Sequence, residues 1–330
     1  MKGIILCAGK GSRLYPFTNN YPKTLIPVAN TPLLQLLIAK LMELGIDRIG
    51  IVIHPSQEAD IRGQFGEGEA LGISMTYIYQ HEAKGIANAL KQAEDYLSGE
   101  AFILLLGDNL ISASLSDLKN DVEHGGVQAS LLLGEVLVAQ DYGIAEIQDS
   151  RIVGLEEKPA HPKSNLAVLG GYAFSKEIFD AVDKITPSKR GEYEITDAIQ
   201  WLIEQQHVVA YHVTDQLNID VGTMDRWLLA NQKLLDAEAL KKRVHDSVRL
   251  ERCTIVEPVS IEIDCVLKDC RIGPYVSVGA GSNLENCQIE NSIILNGVYM
   301  KDLPFPIKNV IIGKHSNVAG ALIDKEVKEL

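Results

Sequence analysis

The stretch GIILCAGKGSRLYP, Gly3–Pro16, runs an apolar tetrad into a loop of small residues and two cations, Lys10 and Arg13. A buried strand ending in glycines is a common approach to a phosphate, because backbone N–H groups can then close on its oxygens. Two familiar phosphate loops do not fit. A P-loop needs GxxxxGK followed by Ser or Thr, and Gly9-Lys10-Gly11-Ser12 lacks that frame. The dinucleotide fingerprint needs a further glycine where Leu14 stands. By itself the loop reads equally well as a tight strand-to-helix turn with surface cations.

Strands and helices alternate after it. Arg48–Ile53, Ile73–Gln80 and Ala101–Leu106 read as strands, and Gly85–Leu97 as a helix. Thr31 is expected to cap a helix with Pro32 at its first position. That helix has an apolar face through Leu34, Leu37, Ile38, Leu41 and Met42, and Gly45 as its stop. Such alternation predicts an α/β fold, a mostly parallel sheet flanked by helices, with ligands outside the carboxyl ends of the strands. The loop after Leu6 and the turn Gly107-Asp108-Asn109 both lie at such ends. Strand-like runs then follow one another at Ser130–Val138, Gly143–Ile147, Ile152–Glu156 and Ala167–Phe174. Next come a helix Glu194–Gln206, a strand Val208–Val213, a turn Ile219–Thr223 and a long helix Met224–Lys242.

From about Cys253 the pattern changes. Ile255, Ile261, Leu267, Ile272, Val278 and Leu284 recur at spacings of 6, 6, 5, 6 and 6. This hexapeptide period predicts a short left-handed parallel β-helix. Residues 1–242 therefore read as an α/β domain and 243–330 as the β-helix, with Met300–Asn309 as a loop leaving a coil. Cys253, Cys265, Cys270 and Cys287 lack the paired short spacings of a zinc site and are expected to be small buried fillers.

Bulk properties narrow the function. A net charge of -13 over 330 residues argues against non-specific binding to nucleic acid or an anionic membrane. Phosphate chemistry in so acidic a chain would need a local cationic cluster. No run approaches the ~20 apolar residues that span a bilayer, and the opening residues do not read as a signal peptide. Five cysteines, an odd number, do not suggest a disulfide framework. A cytoplasmic protein is expected.

AGKGSRLYPFTNNYPK, Ala8–Lys23, resembles the signature of the sugar nucleotidyltransferase family. YQHEAKGIANAL (Tyr79–Leu90), LLLGDN (Leu104–Asn109) and NIDVGT (Asn218–Thr223) are similar to the family's base-contacting and metal-binding stretches. DYGIAEI, GLEEKPAHPKSNLAVLGGYAF and TPSKRGEYEITDAI resemble the sugar-binding strands of glucose-1-phosphate thymidylyltransferases, and the β-helix tail resembles that of their long form.

The resemblance implies transfer of a nucleotidyl group from a nucleoside triphosphate, dTTP favoured, to a sugar 1-phosphate, glucose 1-phosphate favoured, with release of pyrophosphate. Arg13 would grip the leaving pyrophosphate and Lys23 would neutralise the transferring phosphoryl group. Ala8, Gly9 and Gly11 would line the triphosphate, and Gln80 and Gly85 the base. Gly143, Glu157, Lys158 and Glu194 would take the sugar phosphate, although Glu194 also fits a first-turn helix carboxylate. Asp108 and Asp220 would hold Mg²⁺, which takes one or two protein carboxylates beside phosphate oxygens and water. Asn218 stands where the short thymidylyltransferases carry Trp. The alternatives are a UTP-dependent uridylyltransferase and a non-catalytic regulatory relative. Such a relative should have lost Arg13, Lys23, Asp108 or Asp220, and all four are present. A third possibility, acyl transfer at His315 in the tail, ranks below an assembly or regulatory role for the tail, and a homo-oligomer is expected.

Overall fold

The computed structural model describes residues 1–19, 21–216, 218–237 and 242–320. The apolar runs form strands: β1 (Lys2–Leu6), then, past the short pair β2 (Pro27–Val28) and β3 (Thr31–Pro32), β4 (Arg48–Ile53), β5 (Ser74–Tyr79) and β6 (Phe102–Leu106). After β7 (Asn109–Ile111) come β8 (Ala129–Glu135), β9 (Gly143–Gln148), β10 (Arg151–Glu157), β11 (Leu166–Phe174), β12 (Val209–Val213) and β13 (Asn218–Asp220). The main sheet runs in the order β10-β9-β11-β6-β1-β4-β5, with β8 between β11 and β12. Pairings among β6, β1, β4 and β5 are parallel. Those of β9 with β10, and of β11 with β6, β8 and β9, are antiparallel.

Strand alternation explains the two cores. Successive side chains point to opposite faces, so Ile5, Ile103 and Leu105 bury on one side and Ile4 and Leu104 on the other. Leu34, Leu37, Ile38 and Leu41 of helix α1 (Leu33–Glu43) cover the first face. Ile195, Ile199 and Leu202 of Ile195–Glu204 cover the second.

The start of α1 differs from expectation. Thr31 does not cap it, because Val28 pairs with Thr31 and Pro27 with Pro32 across Ala29 (φ 47°) and Asn30 (φ 65°). Two consecutive left-handed residues make the tight turn that matches strand twist, and the hairpin takes the residues a cap would have used. Met42 is 41% exposed rather than part of the apolar face. The helix expected over Gly85–Leu97 is two pieces, Ile86–Lys91 and Glu94–Leu97. The turn expected at Ile219–Thr223 begins as β13, and the helix after it ends at Leu235.

The described residues form two compact units: one of Met1–Ser12, Asn20–Leu25 and Leu33–Asp220, the other of Arg13–Asn19, Ile26–Pro32 and Val221–Leu330. The second unit holds helix Met224–Leu235 and a parallel β-helix of three ladders. Coils begin at Lys242–Val244, earlier than the hexapeptide period indicated. Strands at Tyr299–Lys301 and Ile307–Lys308 shrink the loop expected over Met300–Asn309. Ile261, Leu267, Ile272, Val278 and Leu284 fill its core. Within this unit the β2–β3 hairpin is pinned by polar contacts. Ala29 N and Ser277 Oγ both donate to buried Asn231 Oδ1 (2.9 and 2.7 Å), and Asn30 Nδ2 donates to Ser260 Oγ (2.9 Å) and Val278 O (3.2 Å). Among the described residues no helix is long and apolar enough to cross a membrane.

Candidate active site

Strand β1 lies between β6 and β4, whose connections leave it in opposite directions. The crevice at such a switch point opens at the carboxyl ends of the strands. There a cavity of about 240 Å³ is lined by Leu6–Gly9, Lys23, Thr24, Gln80, Gly85, Asp108 and Glu192. At Gly9 a side chain would meet nothing within 4 Å, so the backbone of this loop faces open space. At Gly107 a Cβ would lie 2.5 Å from Leu6 O and 2.9 Å from Cys7 Sγ, so the two strand-end turns touch only because that residue has no side chain. Burial pushes the Cys7 thiol up to about 12, which keeps it protonated and unsuited to nucleophilic catalysis.

Lys23 is the junction of the site. Its residue is only 7% exposed, on the short helical turn Lys23–Leu25. Its Nζ lies 2.6 Å from Asp108 Oδ2 and 3.6 Å from Asp220 Oδ1. Strand pairing brings the two aspartates together across 112 residues of sequence: β7 and β13 run antiparallel with Asn109 opposite Asp220 and Asn218 opposite Ile111. The pair is anchored from below. Asn109 Nδ2 and Asn218 Nδ2 both donate to Leu169 O, at 3.1 and 2.6 Å. Gly170 follows with φ 75°, and a Cβ there would lie 2.2 Å from Asn109 Nδ2. Asn218, in the place of a Trp, thus ties the strand bearing Asp220 to β11.

The donor set suits a hard divalent cation. Two carboxylates converge on one cationic point, and oxygen donors with room for phosphate and water are what Mg²⁺ takes. Among the described residues no group of three or more His, Cys, Asp or Glu side chains is placed to cage a metal, so a cation here would need further oxygens from substrate or solvent.

Gln80 is buried at the end of β5, and its Nε2 donates to Asn88 Oδ1 (2.9 Å) and Gly85 O (3.3 Å). Gly85 has φ 99°, and a Cβ on it would fall 2.5 Å from Tyr193 O. The same loop is stitched to that residue, since Tyr193 N donates to Lys84 O (2.8 Å) and Ala87 N to Tyr193 O (3.1 Å). Gly85→Ala is expected to destabilise the protein by about 1–3 kcal/mol and to raise the nucleotide KM more than tenfold. Thermal melting and initial-rate kinetics check this, and an unchanged KM would remove the loop from the nucleotide site.

Gly143, Glu157, Lys158 and Glu194 are not among the residues lining this cavity; Gly143 pairs with Glu157, and the space of its missing side chain is filled by Thr196 Cγ2 and Glu157 Oε2. Glu194 is the buried N-cap residue of its helix, but its side chain makes no capping bond; its carboxylate accepts from Ser188 Oγ at 2.8 Å. Lys158, exposed with φ 45°, lies 3.9 Å from Glu157. Arg190, absent from the residues expected from sequence, joins three carboxylates: Glu192 at 2.8 Å, Glu157 at 3.3 Å and Glu194 at 3.7 Å. Its signal was the acidic spacing Arg190-Gly-Glu192-Tyr-Glu194 within TPSKRGEYEITDAI. Arg13 lies on the exposed turn Ser12–Leu14 and belongs to the second unit.

Burial, and then the neighbouring Glu194, raise Glu157 above the usual glutamate range. The native state therefore holds this proton more tightly than the unfolded chain. Stability from this group is full below the ordinary glutamate pKa and falls as pH rises through the raised one. Sugar binding should run the other way, because the ionised carboxylate is the better hydroxyl acceptor. The sugar-phosphate KM is expected to fall as pH rises through that window, and Glu157→Gln should flatten the profile. A wild-type KM independent of pH between 4 and about 7 would take Glu157 out of the sugar contacts.

The model of the family described as nucleotidyl transferase matches residues 2–237. The low-salt glycan biosynthesis nucleotidyltransferase Agl11 of Haloferax volcanii is 38% identical over 97% of this chain and 94% of its own length. A glucose-1-phosphate thymidylyltransferase of Streptomyces griseus is 34% identical over the same shares, 97% and 94%. A proposed glucose-1-phosphate thymidylyltransferase of Bacillus anthracis, solved with sucrose, superposes with a TM-score of 0.68 at 35% identity, covering 72% of this chain and 96% of that one. A mixed sheet with its cleft at the switch point of its parallel strands, two aspartates converging on one lysine, and matches along almost the whole length lead to one assignment: the chain belongs to the nucleotidyl transferase family, among the sugar-1-phosphate nucleotidyltransferases.

Proposed function

We propose that this protein transfers a thymidylyl group from dTTP to glucose 1-phosphate. The observation that carries the reading is the Lys23–Asp108–Asp220 cluster, of which Lys23 and Asp108 line the cavity. A phosphate oxygen of the sugar phosphate attacks the α-phosphorus in line, a P–O bond forms, and the bond to the departing pyrophosphate breaks. Two polyanions must meet, so the work of the protein is positioning and charge compensation. Lys23 supplies positive charge beside the transferring group. The Ala8-Gly9 backbone and Gly11 line the triphosphate, and Arg13 takes the pyrophosphate end as its motif implies. Gln80 and Gly85 hold the base, while Gly143, Glu157, Lys158 and Glu194 form the sugar-phosphate side, with Arg190 keeping the glutamates together. Mg²⁺ held by Asp108 and Asp220 would supply further charge neutralisation at the phosphates.

The preference for thymidine and glucose rests on the Streptomyces relative and on the sugar-binding stretches. Pyrophosphate release is measured with Mg²⁺ and a grid of nucleoside triphosphates against sugar 1-phosphates. The highest kcat/KM is expected for dTTP with glucose 1-phosphate. Preference for UTP would replace the base assignment, and no turnover with any pair would sink the enzymatic reading. Within this proposal residues 1–242 catalyse and 243–330 serve assembly as a homo-oligomer. Sedimentation of the full chain checks the latter, and a monomer would remove it.

A further inference from the structure

Cys253, Cys270 and Cys287 recur every 17 residues, and the structure gives the repeat a geometry. Each occupies the same corner of successive coils, after a left-handed residue: Arg252 (φ 50°), Asp269 (φ 54°) and Asn286 (φ 50°). Each thiol reaches the carbonyl two residues back, Glu251 O at 3.4 Å, Lys268 O at 3.2 Å and Glu285 O at 3.1 Å. The register is set on both sides of the corner. Glu251 pairs with Lys268 and Lys268 with Glu285; Thr254 pairs with Arg271 and Arg271 with Gln288. At the corner itself Thr254 N donates to Cys270 O (2.8 Å) and Arg271 N to Cys287 O (2.9 Å). Three thiols therefore stand in a column, and Leu303 takes the corresponding place on the next coil, after Asp302 (φ 53°).

Paired strands lie about 4.8 Å apart, inside the Cα separation of roughly 4.4–6.8 Å that a disulfide accepts. Access is one-sided. Cys253 is half-buried while Cys270 and Cys287 are buried, so a reagent meets Cys253 first. Cys270 stands on the coil next to Cys253, whereas Cys287 lies one coil further on, so Cys270 is the thiol placed for a second step within the protein.

We propose that Cys253 and Cys270 are a redox modification site that closes an intercoil disulfide at the expense of a low-molecular-weight disulfide. The Cys253 thiolate attacks one sulfur of the reagent, forming a mixed disulfide and expelling one reagent thiolate. The Cys270 thiolate then attacks the Cys253 sulfur and expels the second. Two protein thiols are oxidised, one reagent disulfide is reduced to two thiols, and the two protons pass to the solvent and leaving groups. Burial raises the Cys253 thiol, so the first step should accelerate with pH.

The full-length protein is incubated with oxidised glutathione, then denatured for thiol counting and peptide mapping by mass spectrometry. Of the five thiols, two should be lost without any retained adduct, and a 253–270 cross-link should appear. Cys287→Ser should still form it. Cys270→Ser should trap glutathione on Cys253, and Cys253→Ser should leave the remaining thiols free. A wild-type protein with all thiols free, a stable adduct on Cys253, or a cross-link between Cys270 and Cys287 would each overturn the proposal.

Discussion

Asp108→Asn is expected to lower turnover about a thousand-fold or more, and Asp220→Asn by as much. The substitution removes one charge and keeps the shape. The β7–β13 ladder is made by backbone atoms, so it should survive, and melting temperature should change little. What is lost is the convergence of two carboxylates on Lys23 Nζ, which lies 2.6 Å from Asp108 and 3.6 Å from Asp220. Residues that act as a unit are not additive, so the double variant should be little worse than either single one. Pyrophosphate release under saturating substrate checks this. Activity within tenfold of wild type in either variant would exclude that aspartate from the charge-compensating pair.

Lys23→Met is expected to lower kcat by about 10²–10³ and, in the same protein, to strengthen the response to Mg²⁺. The two effects share a cause. In the structure the ammonium is shared by Asp108 and Asp220. Without it the two carboxylates lose the ammonium they share, at a cost of roughly 2–3 kcal/mol, less than for a fully buried pair because the Asp108 side chain is 35% exposed. A divalent cation then has no ammonium to compete with, and it relieves a larger repulsion. Added Mg²⁺ should raise the melting temperature of Lys23→Met more than that of wild type, while turnover stays low. An equal shift in both proteins would mean that the metal does not use the carboxylates Lys23 holds.

Much of the catalytic unit was legible because its signals are local. RIGIVI and AFILLL are short apolar runs bounded by turn residues, and that length with those flanks favours buried strands over helices. Asp108 stood out because it ends one of them. The helices Glu58–Phe65, Ser116–His124 and Ile178–Val182 were not legible. The first is short and polar, burying only Ile61 and Phe65, so its helicity depends on packing rather than on a pattern in the chain. Thr31-Pro32 carried a sound capping signal, and it lost to a hairpin whose partner residues, Pro27 and Val28, precede it. Arg190 had a local signal in the neighbouring Glu192 and Glu194, but nothing near it in the chain pointed to Glu157, which it meets from 33 positions away.

The sequence by itself determined the alternating strands of the first unit, the coil period of the second and the identity of the charged residues. These depend on spacing along the chain, which backbone geometry converts directly into which side is buried. Only the tertiary structure decided that Asp108 and Asp220 reach the same ammonium, because that follows from β7 pairing with β13 and from Leu169 O accepting two asparagine amides. It also decided that the segment following Leu25 is held, through Asn30 and Asn231, within the unit that carries the β-helix. Contacts between residues 200 positions apart have no period to betray them. They exist because buried polar groups must find partners wherever the fold brings them.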